Sequence, residues 1–134
     1  MQKFENFSRA LKNLEEIRHY EPPFGTVELT GMVALYEICF EQAWKAIKEA
    51  LDNAGYAEGK TGSPKLILKV AFSAGMISDE PLWLSALEAR NNAAHAYNEA
   101  VALEIIGAAK QKYLRMFADL KAEIETNWIE TITR

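Results

Sequence analysis

Val33-Ala34-Leu35-Tyr36-Glu37-Ile38-Cys39-Phe40-Glu41-Gln42-Ala43-Trp44-Lys45-Ala46-Ile47-Lys48-Glu49-Ala50-Leu51 repeats its apolar residues by threes and fours. Val33, Tyr36, Phe40, Ala43, Trp44, Ile47 and Leu51 form one wide apolar stripe on a helix. Glu41 and Lys45 stand four apart in the order that favours an ion pair. Cys39 lies beside the stripe, and its expected role is that of a small buried hydrophobe. The helix is expected to begin between Thr26 and Thr30.

Upstream, Phe4, Phe7, Leu11 and Leu14 mark a first helix by the same spacing. Pro22-Pro23 cannot continue it, so its end is expected near Tyr20. His19 then sits in its last turn, near the negative end of the helix dipole.

Downstream, Asn53 to Gly62 is rich in glycine. Gly55-Tyr56-Ala57-Glu58-Gly59-Lys60-Thr61 resembles a phosphate-binding loop. It has three residues between the glycines where the pattern needs four, and a helix precedes it where a strand should. An exposed linker is the expected role. Ser63-Pro64 reads as an N-cap followed by proline at the first helical position. Leu66, Ile67, Val70, Ala71 and Ala74 continue that helix to a stop at Gly75. Lys65 to Phe72 could instead be a short strand, but the flanking cap signals argue against it. Ser78-Asp79-Glu80-Pro81 starts a fourth helix carrying Leu82, Trp83, Ala86 and Leu87. Ala102, Ile106, Ala109, Tyr113, Phe117, Leu120, Ile124 and Trp128 define a long last helix. Gly107 lies inside it at about 1 kcal/mol relative to alanine, which suggests close packing there.

Five helices, short connections and no convincing strand predict an all-α, antiparallel up-and-down bundle. One domain over residues 1–134 is expected. Broad apolar stripes on several helices point to a homodimer.

The composition agrees. Of 134 residues, 49% are hydrophobic and 25% charged, which is globular. A net charge of -4 and a pI near 5.3 argue against a dedicated nucleic-acid binder, so any RNA contact must be local. One cysteine excludes an internal disulfide and fits a reducing compartment. Two distant histidines and one cysteine make a poor zinc set. No signal peptide or membrane span is read, and the expected setting is the cytoplasm.

Chemistry concentrates in Glu88-Ala89-Arg90-Asn91-Asn92-Ala93-Ala94-His95-Ala96-Tyr97-Asn98-Glu99. Arginine grips phosphate through a planar fork. Histidine exchanges protons near neutral pH. An activated tyrosine hydroxyl can accept a transferred group. On a straight helix Arg90 and His95 lie about 140° apart, whereas Asn91 shares a face with His95 and Arg90 with Tyr97. Arg90 and His95 converge only if the helix breaks or two subunits meet. Asn98 followed by Glu99 reads as a new N-cap, which places a break near Ala94 to Tyr97. The plain alternative is structural: Arg90 paired with Glu88 or Glu99, His95 a satisfied interface residue, Tyr97 packing.

Arg90, four residues, His95, one residue and Tyr97 resemble the signature of HEPN domains. More closely, the chain resembles the nucleotidyltransferase substrate-binding protein family, also called HepT-like. Glu41-Gln42-Ala43-Trp44-Lys45, Ser63-Pro64, Ala71-Phe72-Ser73-Ala74-Gly75-Met76-Ile77, Trp83-Leu84, Arg90-Asn91 and His95-Ala96-Tyr97-Asn98-Glu99 carry the likeness in order, across Val33 to Ile106. The residues before Glu37 depart from the usual family run.

The resemblance implies a five-helix bundle, usually a homodimer with the motif near its interface. It implies a small nucleotidyltransferase partner, encoded nearby, in a two-component enzyme or toxin–antitoxin pair. This chain lacks a Gly-Ser followed by paired aspartates, so it cannot transfer nucleotides alone. Nucleotide and magnesium are expected only with the partner, and no cofactor in this chain. The partner would add AMP to Tyr97. In the toxin reading, Arg90 and His95, with Asn91 beside them, form a metal-independent ribonuclease site: His95 the base, Arg90 the phosphate clamp. AMP on Tyr97 would oppose RNA entry through charge and bulk. A dimerising bundle with no chemistry is the third expectation.

Overall fold

The computed structural model describes residues 1–129. Helix α1 spans Gln2–Leu14 and tightens into a 3-10 segment over Glu15–His19. Helix α2 spans Thr26–Asn53, and α3 is a single turn at Glu58–Thr61. Helices α4 and α5 span Pro64–Ser73 and Glu80–Asn92. Helix α6, Glu99–Ala108, runs through a π turn at Ala109–Tyr113 into α7, Leu114–Asn127. There is no strand among the described residues, so Lys65 to Phe72 is helical. Counting α6 and α7 as one rod, there are six helices among the described residues where five were expected; the one not expected is α3.

Caps set most boundaries. The Glu28 carboxylate accepts from the Gly25 amide at 2.9 Å at the start of α2. Ser63 Oγ accepts from Leu66 N at 3.4 Å, and Asp79 Oδ1 from Leu82 N at 3.0 Å. Gly75 adopts φ +81 and closes α4, with Met76 N donating to Ala71 O at 2.9 Å. That left-handed conformation is open to glycine and strained for other residues.

Helix α2 is the spine. It packs against α1, α4, α5 and α6. The apolar faces expected from the sequence meet in one core containing Phe7, Tyr36, Phe40, Trp83 and Phe117. Phe117 stands edge-on to Phe7 at 6.1 Å and to Trp83 at 5.7 Å. Tyr36 is fully buried, and its hydroxyl donates to Ala86 O at 2.6 Å, tying α2 to α5. No helix among the described residues is long and apolar enough to cross a membrane.

Two glycine expectations need correction. The glycine-rich linker is only partly exposed: Gly59 and Gly62 are buried. A Cβ on Gly59 would lie 2.4 Å from Asp52 N, so α3 docks on the end of α2 through bare backbone. Gly59→Ala is expected to cost about 1–3 kcal/mol, read as a lower urea midpoint at unchanged slope. Gly107, by contrast, permits no close approach, because a Cβ there would meet nothing within 4 Å.

Burial pushes the Cys39 thiol and the Tyr36 phenol well above their ordinary values. The folded chain therefore holds protons that the unfolded chain releases above roughly pH 8.5 for the thiol and 10 for the phenol. Their contribution to stability is complete below that range and lost as pH rises through it. Urea midpoints are expected to fall from neutral pH to about pH 10, less steeply in Cys39→Ala.

Candidate functional site

The helix does break where the chemistry concentrates. Helix α5 ends at Asn92, and Ala93–His95 forms a 3-10 turn. Ala93 is buried and anchors the turn to the core. Asn98 then caps α6, its Oδ1 accepting from Ala100 N at 2.9 Å and Val101 N at 3.4 Å. A short polar knuckle, Ala94 to Asn98, is left between two capped helices.

The break does not join Arg90 to His95. Arg90 turns toward α2, where its guanidinium lies 3.5 Å from the Glu41 carboxylate and 5.7 Å from the centre of the Phe40 ring. Its partner is thus neither Glu88 nor Glu99. The pair is half-buried, and Arg90 Nε is buried without a hydrogen-bond partner. A half-buried arginine held by carboxylate and ring ties α5 to α2. His95 is exposed and sits on the rim of a groove between α5 and α6. No hydrogen bond or ring contact among the described residues links the two side chains. Asn91 is exposed at the end of α5.

Tyr97 is 88% exposed, the most open of the large apolar side chains described. Its ring stands edge-on to His95, with centroids 6.2 Å apart. Its backbone is held between the 3-10 turn and the Asn98 cap, and Asn98 N donates to His95 O at 3.0 Å. A phenol this open on a braced turn is accessible to a second protein.

The groove was not foreseen. It encloses about 500 Å³ between α5 and α6. Asn92 and His95 lie at the knuckle end, Glu88 and Glu104 midway, and Ser85 and Tyr113 at the far end. Val101, Ile105 and Ala108 form an aliphatic wall. The π turn shapes the far end. Its extra residue shifts the helix register. Lys110 on the turn donates to Tyr20 O and lies over the Phe24 ring, while Tyr113 faces Ser85. The only sequence signal at this place was the small run Gly107-Ala108-Ala109.

The family model described as nucleotidyltransferase substrate binding protein like matches residues 2–126. No curated protein matches the chain. A crystal structure from Thermus thermophilus is 29% identical, covers 88% of this chain and 98% of its own, and superposes with a TM-score of 0.76. A Haemophilus influenzae protein is 19% identical, covers 93% of this chain and 96% of its own, and has a TM-score of 0.69. Its structure is described as revealing the fold of a substrate binding domain of a nucleotidyltransferase. At that identity the likeness is one of fold.

Proposed function

We propose a function from one premise: this chain belongs to the nucleotidyltransferase substrate binding protein like family, whose model matches nearly all of it. The chain is the substrate-binding subunit of a two-component nucleotidyltransferase of the toxin–antitoxin type. Tyr97 is itself the acceptor of AMP. The supporting observation is the exposure of Tyr97 on the capped knuckle.

The step balances simply. The Tyr97 phenolic oxygen attacks the α-phosphorus of ATP, a phosphodiester bond forms, pyrophosphate leaves with its electron pair, and the phenol proton passes to a base. The partner would supply the carboxylates that hold magnesium, and the magnesium would orient the triphosphate and take up the developing negative charge. This chain supplies the nucleophile and its placement. His95, the ring packed nearest on the knuckle, is the residue placed to receive the proton through water.

A second copy of the chain completes the assembly in this proposal. Val27, Ala34 and Ile38 are exposed and share a stripe along α2, which supports such a pairing. The ribonuclease alternative requires more: within one chain Arg90 is committed to Glu41, so the phosphate clamp for His95 must come from a rearranged Arg90 or the second copy. Metal-free cleavage of single-stranded RNA, lost in Arg90→Ala and His95→Ala, is its signature.

The test uses purified chain, the neighbouring nucleotidyltransferase, magnesium and ATP labelled at the α-phosphate. Label on this chain is expected only when both proteins are present. Stable complex formation without label would leave a binding subunit and remove Tyr97 as acceptor.

A further inference from the structure

We propose that the groove between α5 and α6 is a pocket for an adenine nucleoside. That this nucleoside is the one attached to Tyr97 rests on the function proposed above; the pocket itself does not.

The argument starts at the far end. Ser85 has one hydroxyl proton, and it is given to Leu82 O at 2.7 Å. The 3.1 Å contact between Ser85 Oγ and Tyr113 Oη must then be a donation from Tyr113. Both protons are spent within the protein. What the two hydroxyls offer to a ligand is lone pairs alone. The far end therefore selects a donor.

Adenine presents its exocyclic amine as a donor, flanked by ring-nitrogen acceptors. Lys112 lines the same end, its ammonium 5.5 Å from the centre of the Tyr113 ring, and can donate to a ring nitrogen. Guanine would place a carbonyl oxygen where adenine places its amine, setting acceptor against acceptor. Leaving such groups mismatched out of water costs about 1–3 kcal/mol.

The middle and the mouth follow the order of a nucleotide. Val101, Ile105 and Ala108 give a planar base an apolar wall. Glu88 and Glu104 accept from ribose hydroxyls, as carboxylates do in dinucleotide sites. From Ser85 to Asn92 is seven residues of α5, or about 10 Å at 1.5 Å each, room for a base and its ribose end to end. The 5′ end then emerges at His95, whose ring stands edge-on to that of Tyr97. AMP on Tyr97 would thus fold back into its own chain, covering His95 and leaving the knuckle in a second, closed state.

The chain alone, without any transferase, is titrated with adenosine and with guanosine while methyl resonances are followed by NMR. Shifts at Val101 and Ile105 are expected, with adenosine binding about tenfold tighter than guanosine. Tyr113→Phe removes one acceptor and should bring the two nucleosides toward parity. Ala108→Leu should fill the groove and abolish both, with circular dichroism verifying the fold. Tyr97→Phe should bind adenosine like wild type, which separates this result from the labelling experiment. Absence of groove shifts with adenosine, or equal affinity for guanosine in the wild type, would overturn the proposal.

Discussion

Tyr97→Phe is expected to abolish AMP transfer to this chain while leaving its melting curve unchanged. The substitution removes one oxygen and nothing else. Because the side chain is 88% exposed, neither the core nor a buried hydrogen bond is disturbed, and surface changes of this kind stay within about 0.5 kcal/mol. The chemical effect is of another order. A phenyl ring has no nucleophile, so no residual transfer is expected at this position. Labelling with the α-phosphate of ATP, run beside thermal denaturation, reads both halves. Residual label at the wild-type rate would place the acceptor elsewhere on the chain.

Phe117→Ala is expected to destabilise the bundle by about 3–5 kcal/mol, a large part of the total stability of a domain this size. Phe117 is fully buried and touches the aromatic rings of α1, α2 and α5 at once through Phe7, Tyr36 and Trp83. Removing it opens a cavity at the point where these helices meet α7. Tightly packed rings of this kind cannot close the gap without leaving their rotamers. Urea unfolding should show a lower midpoint, and Phe117→Leu should recover part of the loss. A change below about 1 kcal/mol for the alanine variant would mean the core repacks there.

Local signals carried a good part of the fold. Asn98, Asp79, Ser63 and Gly75 each act within three or four residues of their own position, and each stops or starts a helix where its chemistry says it should. The stripe on α2 placed the spine of the core. What escaped is what depends on distant partners. Glu41 and Arg90 meet only because α2 and α5 pack together, so neighbours in sequence such as Glu88 and Glu99 were the natural but wrong partners. Gly59 and Gly107 look alike on paper. One lies against the backbone of Asp52 and the other faces open space, a difference set by helix docking alone.

The candidate site shows the same division. The break follows from the cap at Asn98; the exposure of Tyr97 does not, because a cap fixes where a helix starts and not what packs on the turn before it. Nor does the groove, because it needs the π turn at Ala109–Tyr113 and the Ser85–Tyr113 hydrogen bond across two helices. No periodicity in the sequence marks a π turn, whose register shift appears only once the helix is packed.

The central claim is that the chain receives AMP on Tyr97, and peptide-level mass spectrometry tests it most directly. The wild-type chain is isolated after co-expression with its proposed nucleotidyltransferase partner, digested and fragmented. The expected result is the mass of AMP on the peptide containing Tyr97, with the fragment series locating it on that residue. An unmodified Tyr97 peptide from chain isolated in complex with an active transferase would contradict the account.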